Sequence, residues 1–141
     1  MTPPLNLILL VDDDETTNHV NKRLLTRMQV AREIKVLTNG QDALDYLKEA
    51  NTPGGEHLLP ELVFLDIKMP VMDGFSFLEE YREVDLHPEK PVIILMLTSS
   101  ASFYDLERLK SFPQVKKHIS KALTEQEVKE IMQQYFSNQP R

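Results

Sequence analysis

Four groups of polar residues in this sequence have the types and spacing needed for phosphate chemistry. Carboxylates stand at Asp12-Asp13-Asp14 and at Asp66, a hydroxyl stands at Thr98, and an ammonium stands at Lys121. Carboxylates that gather in one place repel one another strongly unless a cation neutralises them. The chain has no cysteine, and no histidine lies near these positions. An oxygen-only site of this kind suits Mg²⁺, or Mn²⁺ as an alternative.

The reaction that this set could perform is phosphoryl transfer to a carboxylate. A cation held by Asp12 and Asp13 would leave a position for one oxygen of a phosphoryl group on Asp66. The hydroxyl of Thr98 and the ammonium of Lys121 could hold the remaining oxygens. Asp66 would be the nucleophile. It closes an apolar run, so its carboxylate needs a partner there.

Each residue taken alone has a simpler interpretation. Consecutive aspartates after a strand usually cap a helix or lie in a solvated turn. A lone threonine is usually a strand end, and a lone lysine is usually a solvated charge. The position of all four groups at one edge of the predicted sheet favours the functional interpretation.

Alternating strands and helices must position these groups. Strands are predicted at 5–11, 34–37, 62–65, 91–97 and 115–120, and helices at 16–28, after Asn39, after Asp73-Gly74, at 103–110 and after the capping box Thr124–Glu127. Apolar strands separated by helices predict a parallel sheet that is covered on both faces. The ligand site of such a sheet lies beyond the carboxyl ends of its strands, where the polar groups fall.

Smaller features complete this prediction. In the first helix, Val20, Leu24 and Met28 recur at four-residue spacing, which fits one helix face. Residues 51–60 are rich in proline and glycine and predict a loop. The tail 137–141 is expected to fray.

Size and composition favour one cytoplasmic domain. With 141 residues the prior is a single domain, with a core at about 5–136 and no output domain. The net charge of −6 argues against nucleic-acid binding, which needs a basic face. The longest apolar run is too short to cross a bilayer, and the N-terminus does not read as a signal peptide.

The sequence resembles the receiver domains of bacterial two-component response regulators, in particular single-domain regulators of the chemotaxis type. The matching stretches are LILLVDDD in the first strand, VFLDIKMPVMDG after the third, IILMLTSS at the fourth and HISKALT at the fifth. The resemblance extends from about residue 5 to residue 136. It implies a flavodoxin-like (βα)₅ doubly wound fold with a five-stranded parallel sheet of order 2-1-3-4-5.

The resemblance implies a role for each matching residue. Asp66 would be the phosphoacceptor, Asp12 and Asp13 would bind Mg²⁺ with Asp66 and the backbone carbonyl of Lys68, Thr98 would be the switch hydroxyl, and Lys121 would bind the phosphoryl group. Lys68 and Ser100 would flank the path of the hydrolytic water, so Lys68 is expected to change the rate of phosphoryl loss. A solvated Lys68 without such a role is the alternative.

Two positions depart from the family pattern. Ala122 follows Lys121, where receivers usually have a proline with a cis bond, so this bond is either trans or a cis bond before a non-proline residue. His118 occupies the switch position, where receivers usually have Tyr or Phe; an ordinary half-exposed strand residue is the alternative. Because an imidazole can change its charge near neutral pH, activation through His118 is expected to weaken in acid.

The resemblance also implies partners. The phosphoryl group would come from a sensor histidine kinase or a histidine phosphotransfer protein. The output would be contact with a downstream protein, or self-dimerisation, through the face formed by the fourth helix, fifth strand and fifth helix. Apart from Mg²⁺-dependent self-phosphorylation and autodephosphorylation, no enzymatic activity is expected.

Three alternatives belong to other functional classes. A haloacid-dehalogenase-type phosphatase would use Asp12 as nucleophile with Thr98 and Lys121, but it leaves the stretch from Asp66 to Gly74 unexplained. A flavin-binding protein would need a first loop that does not repel phosphate. A docking module that acts without phosphorylation is opposed by the intact set of site residues.

Overall fold

The structure is a computed structural model that describes residues 4–51, 59–82, 92–99 and 102–136. The elements in chain order are β1 (Leu5–Val11), α1 (Glu15–Met28), β2 (Ala31–Leu37), α2 (Gly40–Asn51), β3 (Leu62–Leu65), α3 (Gly74–Tyr81), β4 (Ile93–Thr98), α4 (Phe103–Leu109), β5 (Val115–Ser120) and α5 (Glu125–Phe136). The strands form one parallel five-stranded sheet in the order β2-β1-β3-β4-β5. The predicted fold class and strand order are confirmed.

Most of the predicted boundaries agree with the structure. The largest difference is in β2, which begins at Ala31 rather than at residue 34, whereas the bounds of α1, β4 and α4 differ from the predicted ones by one or two residues. The predictions for Pro91, for Ser100, for most of the loop at 51–60 and for the tail lie outside the described residues. Among the described residues, no helix combines the length and the apolar character that crossing a membrane requires.

Side chains of β1 alternate between two hydrophobic cores. Leu7, Leu9 and Val11 pack with α2 and α3 on one face of the sheet, whereas Ile8 and Leu10 pack with α1 and α5 on the other. Both faces are covered, which explains why the central strands are continuous apolar runs. Full burial of one such side chain stabilises the fold by about 1.5–3 kcal/mol.

The most buried face of α1 differs from the face that carries its regularly spaced apolar residues. Val20 is 45% exposed, and Leu24 and Met28 are only half-buried. The buried side chains of this helix are Asn18, Asn21 and Leu25. The inner face therefore follows the positions i, i+3 and i+7 from residue 18, and its first two members are polar. Leu24 and Met28 still pack against the core, but apolar periodicity could not reveal the most buried stripe, which contains two amides.

The start of α3 is pressed against the end of β3. A Cβ atom on Gly74 would lie 2.3 Å from the carbonyl oxygen of Asp66, so only glycine fits at this position. The Gly74 N–H donates to the Ile67 carbonyl at 2.7 Å, and the Asp73 side chain caps the helix by accepting from Ser76 N–H. These contacts thus hold the end of the loop after β3 against the backbone of Asp66.

Within this loop, Val71 has an unfavourable backbone conformation. Its φ is 68°, in the left-handed region, and its side chain is 83% exposed. A β-branched side chain is strained at such a φ, and here it gains little burial in return.

Replacing Val71 with Asn should raise the free energy of unfolding by about 1 kcal/mol, because Asn tolerates the left-handed region far better than Val does. Urea denaturation would measure the change. Val20→Asn is the matched control, since Val20 is exposed but lies in an ordinary helix, where the two residue types have similar propensities. An equal response of the two variants would contradict the strain at Val71.

Candidate functional site

The predicted site residues meet at the carboxyl edge of the sheet. Asp12 follows β1, Asp66 follows β3, Thr98 ends β4 and Lys121 follows β5. Because β1 and β3 are neighbours, the Asp66 N–H continues their ladder and donates to the Val11 carbonyl at 2.9 Å. On the other side, the Lys121 N–H donates to the Thr98 carbonyl at 3.0 Å. The sheet itself therefore fixes the separation of the backbone segments that carry the site.

Three carboxylates converge at this edge. Asp12, Asp13 and Asp66 each contribute one oxygen to a group in which all oxygens lie within 4.8 Å of one another. Asp12 and Asp66 are buried, at 4% and 5% exposure, whereas Asp13 is exposed. Asp14, the last of the three consecutive aspartates, instead caps α1 by accepting from Thr17 N–H. Two buried oxygens and one exposed oxygen form an all-carboxylate set that fits a hard divalent cation approached from solvent.

The ammonium of Lys121 lies between the two buried carboxylates. Its Nζ is 2.8 Å from Asp12 Oδ2 and 3.2 Å from Asp66 Oδ2. The contact with Asp66 is a hydrogen bond, but among the described residues Asp12 Oδ2 has no hydrogen-bond partner, so the closer contact acts as an ion pair. The other oxygen of Asp66 accepts from Ile67 N–H at 2.8 Å, which fixes the carboxylate orientation.

The remaining site predictions fall on residues with different surroundings. Thr98 is buried at 5% exposure, whereas the Lys68 side chain is exposed in the loop after β3. His118 is half-buried on β5 opposite Met96, and its Nε2 has no hydrogen-bond partner within the described part of the chain. The Lys121–Ala122 peptide bond is cis, one of the two forms left open by the sequence.

A family model decides what kind of protein this is. The model of the response regulator receiver domain matches residues 8–133. The chain belongs to the receiver domain family. It is a receiver domain of two-component response regulators.

Individual relatives agree with this assignment. The receiver domain is 31% identical over 128 residues to a probable methanogenesis regulatory protein, FilR2, of Methanothrix harundinacea, covering 91% of this chain and 79% of that protein. It is 33% identical over 137 residues to hybrid signal transduction histidine kinase L of Dictyostelium discoideum, covering 95% of this chain but only 7% of the kinase. The family match and these relatives give no support to the phosphatase alternative.

Solved structures show the same fold. A two-component response regulator from Cytophaga hutchinsonii superimposes with a TM-score of 0.81 at 23% identity, covering 95% of this chain and 98% of that one. The receiver domain of a sensor histidine kinase from Pseudomonas aeruginosa, which has a magnesium ion coordinated in its active-site cleft, gives a TM-score of 0.74 at 22% identity, covering 94% and 98%. At these identities the likeness establishes the fold alone.

The electrostatics of the receiver site show an excess of negative charge. Burial, followed by the charge of Asp12, raises the pKa of Asp66 above its ordinary value, although Lys121 and the Ile67 N–H oppose the shift. Burial alone would lower the pKa of Lys121, but its contacts with Asp12 and Asp66 outweigh burial and raise it. Lys121 thus stays charged, yet one ammonium does not cancel the repulsion between the carboxylates.

Sequence reasoning missed two residues beside the site. Asn18 Nδ2 donates to the main-chain carbonyl of Asp12 at 2.7 Å, and Asn21 Oδ1 accepts from the Leu123 N–H at 3.2 Å. Both amides lie on the buried face of α1. The available signal was their spacing, since Asn18, Asn21 and Leu25 share a helix face that turns towards the strand carrying Asp12.

The raised pKa of Asp66 predicts a pH-dependent effect of Asp66→Asn on the metal-free protein. A carboxyl with a raised pKa binds its proton more tightly when folded, so wild-type stability falls as the pH rises from the ordinary value of 3.8 through the folded-state pKa. Asp66→Asn has no titrating carboxyl at this position, so it does not lose stability over this pH range. Above the folded-state pKa it should therefore have the larger free energy of unfolding.

Urea denaturation with chelator, from about pH 4 to about pH 7, would measure the difference. Asp45→Asn, which removes an exposed carboxylate on α2, is the matched control and should give no such trend. A stability gain for Asp66→Asn that stays constant across the range would contradict the proposed repulsion.

Proposed function

We propose that this receiver domain accepts a phosphoryl group on Asp66 from a sensor histidine kinase or a histidine phosphotransfer protein. One observation carries the proposal: the buried Asp66 carboxylate lies within a cluster of carboxylates and contacts the ammonium of Lys121. A buried acceptor beside a fixed cation, at an edge that admits a second cation, is suited to phosphoryl transfer by positioning and charge neutralisation.

The residues that would hold Mg²⁺ are Asp12, Asp13 and Asp66, together with the backbone carbonyl of Lys68. Mn²⁺ is the alternative ion. The all-oxygen donor set supports a hard divalent cation, and the Pseudomonas receiver domain with its magnesium ion supports the same identity. When bound, the ion would neutralise negative charge on the carboxylates and on the incoming phosphoryl oxygens.

The chain's own side chains would then carry out the transfer. One oxygen of Asp66 is held by the Ile67 N–H, and the other, Oδ2, contacts Lys121. A carboxylate oxygen attacks phosphorus while the bond from phosphorus to the donor's imidazole nitrogen breaks, and the electron pair of that bond leaves with the imidazole. Lys121 and the hydroxyl of Thr98 would bind phosphoryl oxygens as they move towards the acceptor.

The proposed output is a conformational change on the face formed by α4, β5 and α5, which a partner protein would recognise. No side chain of α4 is buried, and Phe103 and Tyr104 are 78% and 72% exposed. Exposed aromatic side chains of this size are suited to contact with a downstream protein or with a second copy of the chain. His118 on β5 would act as the switch residue. Its ring is half-buried and its Nε2 has no hydrogen-bond partner among the residues that the structure describes, which supports a side chain that can change position.

Other features remain predictions. These are the single domain with its core at about 5–136, the cytoplasmic location, the absence of nucleic-acid binding and the role of Lys68 in phosphoryl loss. The activity is limited to self-phosphorylation from a donor and autodephosphorylation. The chain spans only 7% of the length of the Dictyostelium hybrid kinase to which it is similar.

Phosphorylation should require both a divalent cation and Asp66. Incubation with acetyl phosphate and Mg²⁺ should add one phosphoryl group that mass mapping assigns to Asp66, and Asp66→Asn should abolish the labelling. Asp13→Asn should raise the dissociation constant for Mg²⁺ by roughly tenfold or more, because one ligand is lost. Asp45→Asn is the matched control and should be labelled like the wild type. Full labelling in excess chelator would rule out the proposed mechanism.

Phosphorylation of Asp66 should also move the ring of His118 through Thr98. The Thr98 hydroxyl would contact the phosphoryl oxygens in the active conformation and not in the inactive one, so phosphorylation would favour the active conformation. Imidazole resonances of His118 should shift on phosphorylation in the wild type but not in Thr98→Ala. His19, exposed on α1, is the internal control and should stay unchanged in both proteins. A His118 shift that persists in Thr98→Ala would contradict this coupling.

A further inference from the structure

Helix α1 turns two carboxamide side chains into the interior. Asn18 and Asn21 are 5% and 1% exposed, and they lie one helical turn apart above Leu25 on the same inner face. Burying an amide is costly unless it is hydrogen-bonded. The contacts of these two side chains therefore indicate what the helix gains from them.

Each amide holds a different backbone segment of the acceptor site. The Nδ2 of Asn18 donates to the Asp12 carbonyl at 2.7 Å, directly after β1. The Oδ1 of Asn21 accepts from the Leu123 N–H at 3.2 Å, in the loop between β5 and α5. Because a carbonyl only accepts and an N–H only donates, these partners fix the orientation of both amides.

The two segments are the ones that carry Asp12 and Lys121. The contacts form a closed ring. Helix α1 holds Asp12 through Asn18, and Asp12 lies 2.8 Å from Lys121 Nζ. The loop that carries Lys121 is in turn bonded to α1, through the Leu123 N–H and Asn21. Helix α1 therefore contacts both backbone segments through two side chains on one buried face.

Besides the packing of the buried Leu123 side chain in the core, polar contacts hold the loop after β5 on two sides. Ala122, unlike a proline, does not restrict its own φ. The Lys121 N–H bond to the Thr98 carbonyl holds one side of the loop to the sheet. On the α1 side, the Leu123 N–H bond to Asn21 is the corresponding polar contact, and both of these residues are buried.

We propose that Asn21 is a positioning residue of the acceptor site, which holds the loop after β5 so that the Lys121 ammonium reaches Asp12 and Asp66. Asn18 performs the matching task for the backbone of Asp12. This inference rests on the proposed function, in which Lys121 binds the phosphoryl group. Asn21 acts only through Lys121, so its removal has an effect only where Lys121 is present.

A double-mutant cycle tests this dependence. The rate of labelling by acetyl phosphate in saturating Mg²⁺ is measured for the wild type, Asn21→Leu, Lys121→Ala and the double variant. Leucine resembles asparagine in size but cannot accept from the Leu123 N–H. Asn21→Leu should slow labelling by roughly tenfold, because small misplacements of a reacting group have large effects on rate. In the Lys121→Ala background it should have no further effect.

A structural readout and a control accompany the cycle. Hydrogen exchange at the Leu123 amide should become faster in Asn21→Leu. Leu25→Val, which perturbs packing on the same buried face of α1, should leave both the Leu123 exchange and the labelling rate unchanged. Asn21→Ala enters the same cycle in place of Asn21→Leu if the leucine variant does not fold.

The outcomes separate this inference from the proposed function. If Lys121→Ala slows labelling but Asn21→Leu does not, the positioning role is wrong while the proposed function stands. Equal slowing by Asn21→Leu in both backgrounds would also overturn the positioning role, since the effect would not pass through Lys121. If Lys121→Ala itself leaves the rate unchanged, the proposed role of Lys121 fails, and the inference about Asn21 fails with it.

Discussion

Repulsion between two buried carboxylates, Asp12 and Asp66, is the constraint on which the rest of this structure depends. The parallel pairing of β1 with β3 brings them together, and neither backbone segment can move away without breaking that ladder. Positive charge is then the means of relief, because buried like charges are poorly screened. Lys121 supplies one such charge from the loop after β5, and the exposed Asp13 leaves the cluster open to a cation from solvent.

The scaffold must be rigid enough to hold this unfavourable arrangement. Apolar burial on both faces of the sheet provides the stability, since each fully buried leucine or valine contributes about 1.5–3 kcal/mol. The loop after β3 adds local rigidity, because Gly74 approaches the Asp66 carbonyl so closely that the helix start and the acceptor cannot separate independently. Strain at Val71 in the same loop is tolerated because the surrounding elements already fix its ends.

The fold and the site could be predicted from the sequence where a buried apolar segment is followed directly by a reactive polar residue. Continuous apolar runs revealed the central strands, and polar residues directly after them revealed the carboxyl edge with Asp12, Asp66 and Lys121. The start of β2 was missed because Ala31 is followed by the exposed residues Arg32 and Glu33, which do not resemble a buried strand. The buried face of α1 could not be predicted because two of its three members are polar. The partners of Lys121 and Asn21 could not be predicted, because residue spacing places a side chain on a face but does not show which atom it contacts.

The two buried asparagines of α1 have a physical explanation. Leucine at positions 18 and 21 would extend the apolar stripe begun by Leu25 and would bury more hydrophobic surface against the sheet. The two asparagines give up that gain, and each instead holds a backbone segment next to a charged side chain. Local rules of this kind fail where the fold serves a site rather than its own stability. Helix α1 is therefore the element that contacts the backbone beside both Asp12 and Lys121.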